Sequence, residues 1–303
     1  MTFEKSKFLI ICGQEKAGTT SLFTWLSAHP DVCPSMYKEA RFFLDQNYPL
    51  ASALRYNGDN LSDYQKLFNC KNDRVFLEAS PAYLYNETAL KIANLLPNAK
   101  VVVVLREPIE RLFSAYRYFK QIGEIPVSLS FYDYISKQID KKVTPETPVF
   151  YRVLHQCLVD EYLVKFEKVF GDRFKVIDFN DLKDNPMAVV KEICNFSGLR
   201  SNFYEDFEFS ANNKTAIARF PVVARIYYRT RRRVAFWLVN YPKLKTCFRP
   251  LSRFLRRSLL TETSGASMRP DQASIELATA YLSRHRKSVY PTVAVMSVSR
   301  PFK

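Results

Sequence analysis

A short loop near the start of the chain carries the residue types that bind an anion. Gly13 and Gly18 bracket the loop, and Lys16 lies inside it. Three hydroxyl residues follow the second glycine: Thr19, Thr20 and Ser21. A glycine-bounded loop that opens a helix directs backbone N–H groups and the positive end of the helix dipole into one concavity. Residues 13–18, which we call the glycine loop, therefore predict a site for a phosphate-like anion.

The glycine loop departs from the P-loop of nucleoside-triphosphate enzymes. In that P-loop a lysine directly follows the second glycine, and the serine or threonine after it holds magnesium. Here Thr19 follows Gly18, and Lys16 precedes that glycine by two residues. The sequence keeps the anion site without the magnesium-binding pattern, so a P-loop kinase is the weaker alternative. A βα turn that binds no ligand is the structural alternative.

A second candidate anion site follows the most apolar segment of the chain. Residues 101–105 read Val-Val-Val-Val-Leu and predict a buried strand. Arg106 follows that strand, and Ser114 lies eight residues later on the helix that Pro108 is expected to begin. A guanidinium and a hydroxyl at this spacing can bind one phosphate group together. The alternative is an exposed arginine and a solvated helical serine.

Alternating strands and helices must position these residues. Apolar runs predict strands at residues 8–11, 75–78, 101–105 and 174–179. Helices are expected from residue 19, over 87–96, from residue 108, over 151–170 and over 186–196. This order implies an α/β fold, a three-layer parallel sheet with helices on both faces. Because ligands bind at the carboxyl ends of parallel strands, Gly13, Ser80 and Arg106 should converge on one mouth.

Two motifs together resemble the sulfotransferases that use 3′-phosphoadenosine-5′-phosphosulfate (PAPS). The first is Gln14-x-Lys16-x-Gly18-Thr19-Thr20, and the second is Leu105-Arg106-Glu107-Pro108-x-x-Arg111-x-x-Ser114-x-Tyr116. Further segments are similar to the heparan-sulfate-type and bacterial branch: Glu39 before Phe42-Phe43, Pro81-Ala82-Tyr83, and Arg152-Val153-Leu154 through Tyr162. The resemblance covers roughly residues 7 to 200. It departs from the heparan-sulfate enzymes at Ala79 and Tyr118, where they commonly have lysine and histidine, so a long sulfated glycan acceptor is less certain.

The resemblance implies an enzyme that transfers a sulfuryl group from PAPS. The acceptor would be a hydroxyl, or as second choice an amine, of a small-molecule natural product or a carbohydrate. A P-loop-like phosphosulfate-binding loop and the strand-end motif would hold the co-substrate without a metal. The residues implied are Gln14, Lys16, Ala17, Gly18, Thr19, Thr20, Ser21, Arg106, Ser114 and, from a C-terminal basic loop, Lys214.

Two residues receive catalytic roles from the same resemblance. Lys16 would neutralise charge on the leaving phosphate, and Glu39 would take the proton of the acceptor. The alternative for Glu39 is a solvated carboxylate paired with Lys38. His155 is the alternative base, although a lone histidine on an amphipathic helix is more often a packed residue, as is expected of His29.

Charge is concentrated in one part of the chain. The net charge is +15 over 303 residues, and no acidic residue lies between Glu208 and Glu262. We expect a single domain over 1–303, with a core at about 7–200 and a basic helical region at about 209–303 that completes the nucleotide or acceptor site. The basic stretch 214–257 could contact an anionic acceptor or a membrane surface, or be a solvated face. A non-catalytic nucleic-acid-binding protein is the remaining alternative, and no nucleic-acid partner is expected.

Cysteine spacing and hydropathy bear on the cellular compartment. The apolar runs are much shorter than the roughly 20 residues of a membrane-spanning helix. The run at residues 8–12 is also shorter than the core of a secretory signal. Six cysteines are scattered without C-x-x-C or His/Cys ligand spacing. The sequence therefore predicts a cytoplasmic protein with reduced thiols and no metal site.

Overall fold

The fold was analysed in a computed structural model of the chain. The structure describes residues 3–210, apart from 51, 53, 71–73, 86 and 145. It also describes 216–218, 260–262, 269–286 and the single positions 223, 226, 227, 230 and 234. Lys214, Cys247 and most of the basic stretch 214–257 lie outside these residues.

A five-stranded parallel sheet forms the centre of the fold. Its strands are β1 (Phe8–Gly13), β2 (Val32–Pro34), β3 (Val75–Ala79), β4 (Ala99–Leu105) and β5 (Phe174–Asp178). They are ordered β2-β3-β1-β4-β5, and each neighbouring pair is parallel. The four predicted strands are confirmed, whereas the short edge strand β2 was not predicted. β1 lies between β3 and β4, so Gly13, Ser80 and Arg106 meet at one carboxyl edge, as predicted; we call this edge the mouth.

Helices alternate with the strands along the chain. They are α1 (Thr19–Ser27), α2 (Ser62–Gln65), α3 (Thr88–Leu95), α4 (Pro108–Gln121), α5 (Phe131–Ile139), α6 (Asp160–Phe170), α7 (Phe179–Asp184), α8 (Pro186–Ser197) and α9 (Gln272–His285). The prediction of one helix over residues 151–170 is wrong for the first half of that range. Residues 149–151 and 155–157 form short 3-10 turns, and only α6 is α-helical.

Both faces of the sheet are covered, which confirms the three-layer arrangement. On one face, Phe8, Ile10 and Val103 pack with side chains of α3 and α6. On the other face, Leu9, Ile11 and Val102 pack with α1 and α8. Successive strand residues point to opposite faces, so two buried faces require the nearly continuous apolar runs seen in β1 and β4.

Two cysteines contradict the prediction of reduced thiols. Cys33 in β2 and Cys70 form a disulfide with a Cα–Cα distance of 6.0 Å. The two lie 37 residues apart, and the fold brings them together because β2 pairs with β3 while the segment after α2 returns to that edge. Cys12, Cys157 and Cys194 are free and buried, as predicted.

The C-terminal part of the described chain adds two elements to the core. α9 packs on α5 and α4 through Ala278 and Leu282. β6 (Ala216–Ala218) pairs antiparallel with β7 (Leu260–Glu262), and β6 contacts α4. None of the described helices is long and apolar enough to span a membrane.

Candidate active site

The glycine loop is tied to the neighbouring strand at its first residues. Gly13 has φ 122°, and a Cβ there would lie 2.3 Å from the Val104 carbonyl oxygen, so only glycine fits without displacing β4. The Gln14 N–H donates to the same oxygen at 2.9 Å, and Gln14 Oε1 accepts from the Arg106 N–H at 2.8 Å. Gln14, a predicted nucleotide-binding residue, uses its side-chain oxygen to link the loop to the end of β4.

The loop ends at the N-terminus of α1. Gly18 is the N-cap residue with φ 80°, and it has no side chain to occupy the N–H groups of the first turn. Ala17 and Thr19 are buried, and the Ala17 N–H donates to the Gln14 carbonyl at 3.3 Å. Thr20 is half-buried and Ser21 is buried. The glycine loop therefore leads directly into a helix N-terminus, as the glycine spacing predicts, and helix N-termini favour negative charge.

Two cations converge on this helix terminus. Arg106 Nη1 donates to the carbonyl oxygen of Lys16 at 3.1 Å, and its guanidinium lies 4.4 Å from the centre of the Phe179 ring. Burial and the charge of Arg106 lower the pKa of Lys16 to about 8. The Lys16 backbone is in the left-handed region at φ 70°, which is costly for a lysine. A strained backbone and two adjacent cations are both costly in a loop that holds no anion.

Ser114 shares a helix face with the contacts of both cations. Glu110, Ser114 and Tyr118 are four residues apart on α4 and therefore lie on one face. Arg106 Nη2 donates to Glu110 Oε2 at 3.2 Å, and Lys16 Nζ lies 4.5 Å from the centre of the Tyr118 ring. Half-buried Ser114 thus lies between the α4 contacts of Arg106 and Lys16.

Glu39 lies at the mouth in a strained segment. Its φ is 65° and that of Arg41 is 58°, and its N–H donates to the carbonyl of Ala79 at the end of β3 at 2.8 Å. Glu39 Oε1 accepts from Lys38 Nζ at 2.9 Å, and Oε2 contacts Arg41 Nη2. Burial disfavours the carboxylate, but the two cations outweigh burial and lower the pKa of Glu39 to about 2. The ion pair with Lys38 that the alternative named is present and Arg41 joins it, but the carboxylate is half-buried rather than solvated. The role of Glu39 as base stays a prediction.

A buried carboxylate that the sequence reasoning did not single out supports this segment. Glu78 in β3 is fully buried and accepts hydrogen bonds from Ser80 (2.6 Å), Tyr83 (2.8 Å) and Tyr64 (2.9 Å). The Ser80 hydroxyl in turn accepts from the Arg41 N–H at 3.0 Å. Burial raises the pKa of Glu78, while the three hydrogen bonds oppose the shift. The sequence signal was a glutamate inside an apolar strand, since a buried charge needs such partners.

Arg111 holds the glycine loop through the backbone of Glu15. It is fully buried, and its Nε donates to the carbonyl of Glu15 at 3.2 Å while Nη1 donates to the carbonyl of Val153 at 2.9 Å. The Val153 carbonyl also accepts from the Cys157 thiol at 3.3 Å, whereas the Cys157 N–H donates to the Leu154 carbonyl in a 3-10 turn. Side chains therefore take the place of an α-helical N–H at Val153, in the segment where the predicted helix is absent.

His155 is a packed residue, so the alternative base suggested by the sequence is not supported. One ring nitrogen lies 2.8 Å from the Gln138 carbonyl, and the other lies 2.8 Å from the Tyr281 hydroxyl of α9. Burial lowers the pKa of His155. His29 is likewise buried and contacts the Arg200 carbonyl at 2.9 Å, which confirms the packing role expected of it. Within the described residues, no group of three or more His, Cys, Asp or Glu side chains could hold a metal ion.

Comparisons with known proteins agree with one another. A family model described as a sulfotransferase domain matches residues 6–219. Human bifunctional heparan sulfate N-deacetylase/N-sulfotransferase 2 is 32% identical over 211 residues, which cover 64% of this chain and 22% of that protein. Human bifunctional heparan sulfate N-deacetylase/N-sulfotransferase 3 is 31% identical over 229 residues, which cover 68% of this chain and 24% of that protein. The chain thus spans less than a quarter of the length of these curated relatives.

A solved structure shares the architecture. The crystal structure of a sulfotransferase from Alicyclobacillus acidocaldarius is 26% identical and superposes with a TM-score of 0.56. The likeness covers 76% of this chain and 94% of that one.

Proposed function

This chain belongs to the sulfotransferase family, and we propose that it transfers a sulfuryl group from PAPS to a hydroxyl, or as second choice an amine. The acceptor is a small-molecule natural product or a carbohydrate. The observation that carries the proposal is the contact of Arg106 Nη1 with the Lys16 carbonyl at 3.1 Å, beside the uncapped start of α1. It joins two predicted phosphate-binding segments into one site.

The residues present fit a nucleotide with phosphate groups at both ends. Lys16 and the N–H groups of the glycine loop and of the first turn of α1 would hold the phosphosulfate end. Arg106 and Ser114 would hold the 3′-phosphate. PAPS supplies an activated sulfuryl group when bound. Lys16, beside that end, stabilises the negative charge that develops on the leaving phosphate, which lowers the barrier to transfer.

The proton of the acceptor must pass to a group at the mouth. The family resemblance gives this role to Glu39, which is ionised at neutral pH. Its low pKa makes it a weak base while Lys38 and Arg41 hold both carboxylate oxygens. Glu39 could act as the base once the bound nucleotide draws one of these cations away.

Calorimetry and mass spectrometry test the proposal. We expect the chain to bind 3′,5′-adenosine bisphosphate (PAP) tightly without a metal, and to bind Mg-ATP much more weakly. Incubation with labelled PAPS and a metabolite extract should then yield a sulfated product. Preference for Mg-ATP would favour the kinase alternative, and binding of duplex DNA that weakens steeply with salt would favour the nucleic-acid alternative.

The cellular compartment of the protein is a separate part of the proposal. The Cys33–Cys70 disulfide argues against the cytoplasmic location expected from the sequence, because cytosolic thiols are kept reduced. Peptide mapping of protein from its native source under non-reducing conditions would test this.

For the basic stretch 214–257 we retain the proposal that it contacts an anionic acceptor. Changing two of its arginines to glutamate should then raise the KM for the acceptor and leave the affinity for PAP unchanged.

A further inference from the structure

Three alternate backbone N–H groups after β2 donate to residues at or just beyond the end of β3. The donors belong to Glu39, Arg41 and Phe43 in residues 39–43, which we call the Glu39 segment. Their acceptors, in the same order, are the Ala79 carbonyl at 2.8 Å, the Ser80 hydroxyl at 3.0 Å and the Tyr83 hydroxyl at 3.3 Å. Only the first acceptor is a backbone group. The other two bonds depend on the direction in which a side-chain hydroxyl points.

One carboxylate oxygen sets the direction of both hydroxyls. Glu78 Oε1 accepts from the Ser80 hydroxyl at 2.6 Å and from the Tyr83 hydroxyl at 2.8 Å. A carboxylate accepts hydrogen bonds and has no proton to donate, so each hydroxyl turns its own proton toward Glu78 and its lone pairs toward another donor. Those other donors are the N–H groups of Arg41 and Phe43. Two chains of hydrogen bonds therefore run in one direction, from the backbone of the Glu39 segment to Glu78.

The backbone of the Glu39 segment requires such support. The φ values of Glu39 and Arg41 are 65° and 58°, in the left-handed region that glycine favours. Residues other than glycine stay in this region only where surrounding contacts hold them. Glu78, Ser80 and Tyr83 are fully buried, so water does not compete for the bonds that hold the segment. The segment therefore depends on these two hydroxyls for its conformation.

The other oxygen of Glu78 offers an internal comparison. Glu78 Oε2 accepts from the Tyr64 hydroxyl at 2.9 Å, and Tyr64 is also fully buried. The Tyr64 ring packs on Phe42 and Phe43, with 5.0 and 4.7 Å between ring centres. Phenylalanine at position 64 would keep the ring contacts and remove only the hydrogen bond to Oε2.

We propose that Glu78 and Ser80 are positioning residues for the sulfuryl transfer. Glu78 fixes the hydroxyls of Ser80 and Tyr83 as acceptors, and these hold the Glu39 segment in its strained conformation. The Glu39 carboxylate is thereby kept at the mouth, where it takes the proton of the acceptor. The inference rests on the proposed function and on the role proposed there for Glu39, and it adds what keeps that carboxylate in place.

Hydrogen exchange of assigned backbone amides tests the two chains without any substrate. Because Glu78→Gln may fail to fold, the hydroxyls are removed one at a time. Ser80→Ala should make the Arg41 amide exchange about tenfold faster, and Tyr83→Phe should do the same for the Phe43 amide, since each loses its acceptor. Tyr64→Phe should leave both amides protected. An Arg41 amide that stays protected in Ser80→Ala would contradict the proposal.

Transfer of label from PAPS in single-turnover reactions with the metabolite extract tests the functional role. PAP affinity is measured by calorimetry and the midpoint of urea unfolding by fluorescence on the same variants. Tyr64→Phe is the matched control for Ser80→Ala, because each removes one hydroxyl donor from the same buried carboxylate. Both changes should lower the urea midpoint. Only Ser80→Ala should slow transfer, by about 10²-fold, with PAP affinity within about twofold of the wild type.

Three results would overturn the positioning role. A Ser80→Ala rate within about threefold of the wild type would show that the segment does not need the hydroxyl. An equal loss of rate in Tyr64→Phe would show a general effect of stability, and a large loss of PAP affinity in Ser80→Ala would assign Ser80 to the nucleotide site. If the wild type binds PAP and gives no labelled product, the proposed function fails, and the positioning role fails with it whatever the amides show.

Discussion

Lys16 should make nucleotide binding depend on pH in a defined way. Its pKa is about 8 in the free protein, because of burial and the adjacent Arg106, against an ordinary value of 10.5. A phosphate group beside Lys16 favours the ammonium form and should return its pKa toward the ordinary value. Half of the free protein at pH 8 must then take up a proton when PAP binds. The affinity for PAP is thus highest well below pH 8, where Lys16 is protonated in the free protein, and it declines as the pH rises through 8.

The magnitude follows from these two pKa values. If the bound lysine recovers a pKa of 10.5, the Kd for PAP rises about eightfold between pH 7.5 and pH 9, and proton uptake at pH 8 is about 0.5 per PAP. The phosphates of PAP are already ionised in this range, since their second pKa is about 6. Calorimetry in buffers of different ionisation enthalpy measures both quantities.

A matched pair of variants isolates the effect. Lys16→Arg keeps a cation that stays protonated throughout this range, so its PAP affinity should be nearly independent of pH. Lys175→Arg, on β5 and paired with Glu192, should retain the slope of the wild type. A flat wild-type profile would refute the lowered pKa. An equal slope in Lys16→Arg would assign the titration to another group.

Three further changes probe the rest of the site and the fold. Arg106→Ala should weaken PAP binding by about 10–150-fold, the equivalent of about 1.5–3 kcal/mol for a charge-assisted contact, and unchanged affinity in calorimetry would contradict the phosphate site. Cys33→Ser should lower the free energy of unfolding by about 4 kcal/mol, since the disulfide closes a 37-residue separation, and a reductant that leaves wild-type urea unfolding unchanged would speak against the bond. His155→Phe should keep kcat within about twofold and lower the thermal midpoint through loss of the Tyr281 contact; reduced kcat with an unchanged midpoint would restore it as a base.

Several parts of the site were predictable because their signals are local. Gly13 and Gly18 adopt left-handed conformations that few other residues tolerate, and a strand directly precedes them. The apolar runs of β1 and β4 place Gly13 and Arg106 at the same edge of a parallel sheet without reference to any other segment. Glu78 could have been found in the same way, as a charge inside a buried strand.

The predictions that were wrong concern segments whose local structure depends on residues far away in the sequence. The buried guanidinium of Arg111 takes the Val153 carbonyl, and a periodic pattern from residue 151 cannot reveal that contact. Both ring nitrogens of His155 are engaged, one of them by a tyrosine 126 residues away. The partner of Cys33 depends on how β2 meets the end of α2, which spacing in the sequence does not determine.

The sequence by itself determined the fold class, the glycine loop and the place of Arg106 at the end of β4, since glycine conformations and strand periodicity are properties of a few neighbouring residues. Only the tertiary structure decided the electrostatic state of each charged group. Lys38 and Glu39 are adjacent in sequence, yet the pKa of Glu39 is low only because Lys38 and Arg41 together outweigh the effect of burial. Glu15 stands next to Lys16, yet burial and then the charge of Glu39 raise its pKa. Charge pairing and desolvation depend on atoms brought together by folding, and these set the pKa values on which the chemistry depends.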